Sequence, residues 1–204
     1  MHLFHTSQSH PARFDRVRDR VAPGLPLVHH VHEVWLDRAR AEGLTPALTD
    51  EITSAIAAAT GAKLCTCTTI GPVAEAAGAV RIDRPLMEAA AGVGGRVLLV
   101  YCLAGTADAS RTLLAECLGN TGQPADIDCL ALPHLWPLFE AGDEAGFEAT
   151  IAEAIRSRLG TGPRPRAVVL AQASMAGAAD RLGDVGLPVL SAPDLAFRAA
   201  LARA

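Results

Sequence analysis

No apolar stretch in this 204-residue chain is long enough to span a bilayer, so a helical membrane span is not expected. The first residues, Met1-His2-Leu3-Phe4-His5-Thr6, lack the basic, apolar and small-residue layout of a signal peptide, and the expected location is cytoplasmic. There is no basic tract. Aromatics make up 4% of the chain, charged residues only 20%, and the net charge is -4, which argues against nucleic acid as a partner. Cysteine is scarce: the five residues are odd in number and scattered, which suits a reduced compartment rather than a disulfide scaffold. No tandem repeat or low-complexity tract is present. The Gly92-Val93-Gly94-Gly95 stretch precedes an apolar run, whereas a dinucleotide loop follows one; it reads as a linker, and no cofactor is expected. No Gly-x-Ser-x-Gly elbow surrounds Ser174, whose expected role is hydrogen bonding or helix capping.

What is present is apolar: half of the residues, enough for a full core in one large domain or two small lobes. Short apolar runs at residues 2–5, 25–29, 62–66, 96–101, 126–132, 166–171 and 187–190 alternate with helical patterns. That alternation predicts βα units around parallel sheet. Helices are expected from Pro11 to a Pro23-Gly24 stop, over 33–41, after Thr45 to Gly61, over 108–118, over 144–159 and from Ser191 to about Ala202. Phe147, Ile151 and Ile155, spaced by four, mark the 144–159 helix most clearly. Trp136, flanked by Pro133 and Pro137, reads as a packed turn or a subunit contact.

The stretch with most chemistry is Leu64-Cys65-Thr66-Cys67-Thr68-Thr69-Ile70-Gly71-Pro72. A buried strand ends in a thiol and hydroxyls, then a helix begins near Pro72. Free N–H groups and partial positive charge at a helix start favour a thiolate and can cradle a carboxylate. Cys67 is the candidate reactive thiol. Cys65, Cys102, Cys117 and Cys129 are expected in the core. Ligands of open α/β sheets sit at strand carboxyl ends. Those ends are His5-Thr6-Ser7, Cys67-Thr68-Thr69, Gly105-Thr106 and Gln172-Ala173-Ser174, all rich in small polar residues. The run His29-His30-Val31-His32-Glu33 raises a zinc alternative, with His30 and His32 joining Cys65 and Cys67, although the spacing matches no known finger or ribbon.

Taken in order, these segments resemble the aspartate/glutamate racemase superfamily, which also holds hydantoin racemases, maleate isomerases and arylmalonate decarboxylases. Leu3-Phe4-His5-Thr6 stands where glutamate racemases have Phe-Asp-Ser, and Cys67-Thr68-Thr69 resembles their Cys-Asn-Thr. The 97–100 run through Gly105-Thr106 resembles the strand opening the second lobe and its threonine turn. Val168-Val169-Leu170-Ala171-Gln172-Ala173-Ser174 resembles the strand ending Leu-Gly-Cys-Thr-His. Each motif alone is weak; their joint order over nearly the whole chain carries the resemblance.

The resemblance implies two pseudo-symmetric α/β lobes with parallel sheets and a cleft between them. The expected divisions are 1–92, 93–186 and a strand and helix at 187–204 returning to the first lobe. It implies cofactor-independent chemistry beside a carbonyl or carboxylate. In the racemases two thiols face the stereocentre from opposite sides. This chain departs there: Gln172 occupies the second thiol position, and glutamine cannot act as a base. His5 also replaces an aspartate. The reading is therefore a one-thiol isomerase or lyase of a small carboxylate, with Cys67 as acid/base or nucleophile and His5 assisting. Thr6, Thr68, Thr69, Thr106, Ala173 and Ser174 would hold carboxylate oxygens, and Gln172 would orient the substrate. A non-catalytic carboxylate-binding protein is the alternative from another class, and a zinc-dependent hydrolase a weaker one. No metal is expected, and a homodimer is the oligomeric state left open.

Overall fold

Parallel strands buried on both faces read as unbroken apolar runs, and Val97–Tyr101 and Ala167–Leu170 are such runs. In the computed structural model, which describes residues 1–203, they are the two inner strands of an all-parallel sheet.

The chain forms two four-stranded parallel sheets flanked by helices. The first holds β1 (His2–His5), β2 (Val28–Val31), β3 (Lys63–Cys65) and β4 (Val80–Arg81), in the order β2-β1-β3-β4. Its helices are α1 (His10–Val21), α2 (Glu33–Glu42), α3 (Pro46–Ala58) and α4 (Gly71–Ala76). After α5 (Arg84–Val93) comes the second sheet, of β5 (Val97–Tyr101), β6 (Ile127–Ala131), β7 (Ala167–Leu170) and β8 (Val189–Ser191), in the order β6-β5-β7-β8. With it go α6 (Ala104–Asn120), α7 (Trp136–Glu140), α8 (Glu144–Thr161) and α9 (Gly177–Asp180); α10 (Ala192–Leu201) follows. Both sheets repeat one strand order, with the first strand of each inside.

Each sheet has its own core. Phe147, Ile151 and Ile155 of α8 pack on Leu98, Val100, Val168 and Leu170. Asp143 starts that helix by accepting a hydrogen bond from Gly146 N at 2.9 Å. In the first unit, Leu48, Ile52 and Ile56 of α3 share a core with Phe4, Trp35 and Cys65. Thr45 caps α3, accepting from Leu48 N at 3.3 Å, and Pro46 occupies its first turn.

The chain divides into two units, Met1–Pro85 with the residues from 193 onward, and Leu86–Ala192. The glycine stretch therefore does not mark the division. Gly94 and Gly95, with φ of 72° and 69°, form a turn inside the second unit, where Gly95 N donates to Gln123 Oε1 at 2.8 Å. Of the 187–204 segment, β8 pairs with β7 in the second sheet, while Asp194 of α10 bonds Arg20 of α1.

Three local readings shift. The strand expected at 25–29 is β2 at Val28–Val31, because Pro26 has no N–H to donate and the ladder opens with Val28 N to Met1 O. His29 and His30 consequently lie within the strand. The short β4 and the helix α5 had no sequence expectation. Cys129, expected in the core, is exposed: it lies on the edge strand β6, whose outer positions are uncovered. Cys102 and Cys117 are buried as expected. Among the described residues, no helix is long and apolar enough to cross a membrane.

Candidate functional site

The strand order puts β1 between β2 and β3, so its last residue, His5, has a neighbour on each side. Its Nδ1 lies 2.8 Å from Thr66 Oγ1, and its Nε2 lies 2.8 Å from His29 Nδ1. His10, at the start of α1, reaches the same hydroxyl, with Nδ1 3.1 Å from Thr66 Oγ1. His5 is fully buried. Burial, followed by the neighbouring His10, His29 and His30 rings, pushes its pKa down to about 3. Burial and then the Arg13 guanidinium push His10 down to about 4. Both rings are neutral at pH 7.

Cys67 lies two residues beyond the end of β3. Side chains alternate along a strand, and Cys67 packs in the cluster that holds Phe4 and Cys65, whereas Thr66 bonds His5. No hydrogen bond joins His5 to Cys67; both ring nitrogens of His5 are engaged elsewhere. Cys65 Sγ donates to Cys67 O at 3.5 Å, and burial raises the Cys65 thiol above its ordinary range, so Cys65 remains a protonated core thiol. Thr6 is buried, Thr68 half-buried and Thr69 exposed. The helix after this loop, α4, has six residues and offers less dipole than the sequence suggested.

The other expected residues belong to the second unit. Gln172 follows β7 and is nearly buried. Its Oε1 accepts from Cys102 N at 2.6 Å and Leu103 N at 3.0 Å, binding the end of β7 to the turn from β5 into α6. With the carbonyl so committed, the side chain presents only its NH2 group, a donor. Cys102 is therefore adjacent in space, but it packs with Leu98 and Val100 in the core, and burial pushes its thiol up to about 11. Thr106 sits half-buried in the first turn of α6, and Ala173 and Ser174 are half-buried in a 3-10 turn.

The residues named for a zinc site are not assembled as one. Among the described residues, no three His, Cys, Asp or Glu side chains group as metal ligands. His30 stacks on Phe4 and bonds His2, and His32 stacks on Trp35.

No family model matches the chain, and no curated protein matches it in sequence. Solved structures do. An aspartate racemase from Picrophilus torridus superposes with a TM-score of 0.70 at 12% identity, over 98% of this chain and 93% of that one. Glutamate racemase from Francisella tularensis, in complex with D-glutamate, gives 0.67 at 10% identity, over 98% and 79%. A mutant arylmalonate decarboxylase in its sulfate-associated form gives 0.63 at 16%, over 98% and 91%. The chain has the aspartate/glutamate racemase fold. At these identities the likeness is one of fold.

On this racemase fold the sequence reading overlooked two features. One is the His29–His5–Thr66–His10 cluster. Only one of its signals was available: Thr66, following Cys65, must face the side opposite to it. The other is the buried ion pair of Arg81 with Asp83, at 2.6 and 2.7 Å, behind the Cys67 loop at Gly71. Arg81 ends β4, a strand too short to show a period, and Asp83 lies just beyond it.

Proposed function

We propose that this chain is a cofactor-independent isomerase or lyase that forms a carbanion next to the carboxylate or carbonyl of a small substrate, with Cys67 as its single reactive thiol. The observation that carries the reading is a free cysteine in the loop beyond β3 of a racemase fold. As acid/base, the Cys67 thiolate takes the proton from carbon, the electron pair spreads into the carboxylate, and a proton returns to carbon. As a lyase, the bond to a departing carboxylate breaks, CO2 leaves and the Cys67 thiol protonates the carbon. The growing oxygen charge needs donors. Thr6, Thr68, Thr69, Thr106, Ala173, Ser174 and the Gln172 NH2 are the proposed ones. His5, with both ring nitrogens engaged, assists through its hydrogen bonds rather than by direct contact with sulfur.

A second reading, a non-catalytic carboxylate-binding protein, is favoured by Gln172, whose acceptor is locked on backbone and whose remaining group only donates. Brief iodoacetamide treatment at mildly acidic pH, followed by peptide mapping, decides between them. Exposed Cys129 serves as an internal reference. A primed Cys67 labels faster than Cys129 despite its burial. Labelling of Cys67 slower than Cys129 rejects the catalytic reading.

A further inference from the structure

Five groups in the first unit form one line. Asp15 of α1 has Oδ1 3.5 Å from His29 Nε2. His29 Nδ1 meets His5 Nε2 at 2.8 Å, His5 Nδ1 meets Thr66 Oγ1 at 2.8 Å, and Thr66 Oγ1 meets His10 Nδ1 at 3.1 Å. His29 Nε2 is buried and has no hydrogen-bond partner; Asp15 Oδ1, which also lies 3.4 Å from Arg18 Nη1, faces it at ion-pair distance. Asp15 is 43% exposed, so this end of the line is wet.

The chemistry of the end groups sets a direction. A carboxylate only accepts, so His29 Nε2 carries a proton and, in the neutral ring, Nδ1 accepts. His5 Nε2–H then donates to His29 Nδ1, Thr66 Oγ1–H donates to His5 Nδ1, its closer acceptor at 2.8 Å against 3.3 Å for Phe4 O, and His10 Nδ1–H donates to Thr66. Every donor along the line then finds an acceptor. The reverse wiring would aim a bare His29 nitrogen at a carboxylate.

We propose that His10, Thr66, His5, His29 and Asp15 form a proton relay from the start of α1 to the solvent, and that it carries the second proton which a one-thiol enzyme cannot move with Cys67 alone. Its use in catalysis rests on the function proposed above; its existence does not. In one passage, a proton arrives on His10 Nε2. The His10 Nδ1 proton moves to Thr66 Oγ1, the Thr66 proton to His5 Nδ1, the His5 Nε2 proton to His29 Nδ1, and the His29 Nε2 proton to Asp15, which releases it to water. One proton enters and one leaves, and each ring ends neutral in its other tautomer. The depressed His5 and His10 pKa values agree with this, because transfer between neutral tautomers places no lasting imidazolium in the buried cluster.

The relay is tested without substrate, by long-range 1H–15N NMR of the histidine rings at pH 7. The wild-type protein should show His29 and His5 protonated at Nε2 and His10 at Nδ1. Asp15→Lys replaces the terminal acceptor with a donor at an exposed site. It should reverse all three rings, moving His29 and His5 to Nδ1–H and His10 to Nε2–H. Adding Thr66→Val should stop the reversal at His5, and Thr66→Ser should restore it. A reversal that ends at His29, one that reaches His10 through Thr66→Val, or a wild-type pattern of mixed tautomers would overturn the relay. An intact relay with an unreactive Cys67 would instead sink the proposed function alone.

Discussion

His5 Nδ1 and Thr66 Oγ1 stand 2.8 Å apart across the β1–β3 pair, and this contact turns the strand-end histidine away from the neighbouring thiol and into a buried polar cluster. The consequence reaches both stability and chemistry.

Stability should fall on mild acidification. His5 and His10 are held neutral in the folded protein, with pKa values of about 3 and 4, against 6.5 for the ordinary side chain. Between pH 6.5 and 4 the unfolded chain binds protons that the folded chain does not, so stability drops as pH falls. The slope is about 1.4 kcal/mol per pH unit for each histidine, or roughly 2.7 for the pair. Urea midpoints should be flat above pH 7 and decline steadily below pH 6.5. A His5→Gln, His10→Gln double variant should lose most of the decline. An unchanged wild-type midpoint at pH 5 would contradict the neutral buried cluster.

Gln172 should prove structural through its oxygen and functional through its nitrogen. Gln172→Ala strands two backbone donors and should cost about 1–3 kcal/mol. Gln172→Glu keeps the acceptor, and its unfolding midpoint should stay near wild type. It replaces the NH2 donor with a negative charge, so thermal stabilisation by small carboxylates should be lost. Equal stability losses in the two variants would contradict the assignment. Gln172→Cys tests the position differently: it should gain exchange of a substrate α-proton with solvent deuterium.

The Arg81–Asp83 pair is buried and bidentate. Asp83→Ala should cost about 3–5 kcal/mol by leaving the buried guanidinium with only the Glu75 carboxylate, at 3.8 Å, while a double Arg81→Met, Asp83→Leu variant should be much less destabilised. Calorimetry of the two variants checks this. Equal losses would mean that packing, not charge, dominates there.

Much of the fold was legible because its signals are local. Ala167–Leu170 is an unbroken apolar strand, and Phe147, Ile151 and Ile155 give α8 its period. The two-residue β4 has no period to read, and α5 carries apolar residues without a cap signal strong enough to set it apart. Cys129 misled because apolar neighbours do not reveal that a strand lies at an edge. In the candidate site, Cys67 and Gln172 could be placed at strand ends from the sequence. The partnership of His5 could not: it depends on the parallel register, which sets His29 opposite Leu3 and Val31 opposite His5 so that the His5 and His29 rings meet on the diagonal, and register is a property of the assembled sheet.

The most direct test of the one-thiol account follows carbon-bound protons and CO2 loss by NMR in D2O. It uses a panel of aspartate, glutamate, maleate and arylmalonates, with wild type and Cys67→Ser compared. The account predicts isomerisation, exchange or decarboxylation on at least one compound, abolished in Cys67→Ser, with racemisation of aspartate and glutamate absent or very slow. Robust aspartate or glutamate racemisation in the wild type, or turnover that survives in Cys67→Ser, would contradict it.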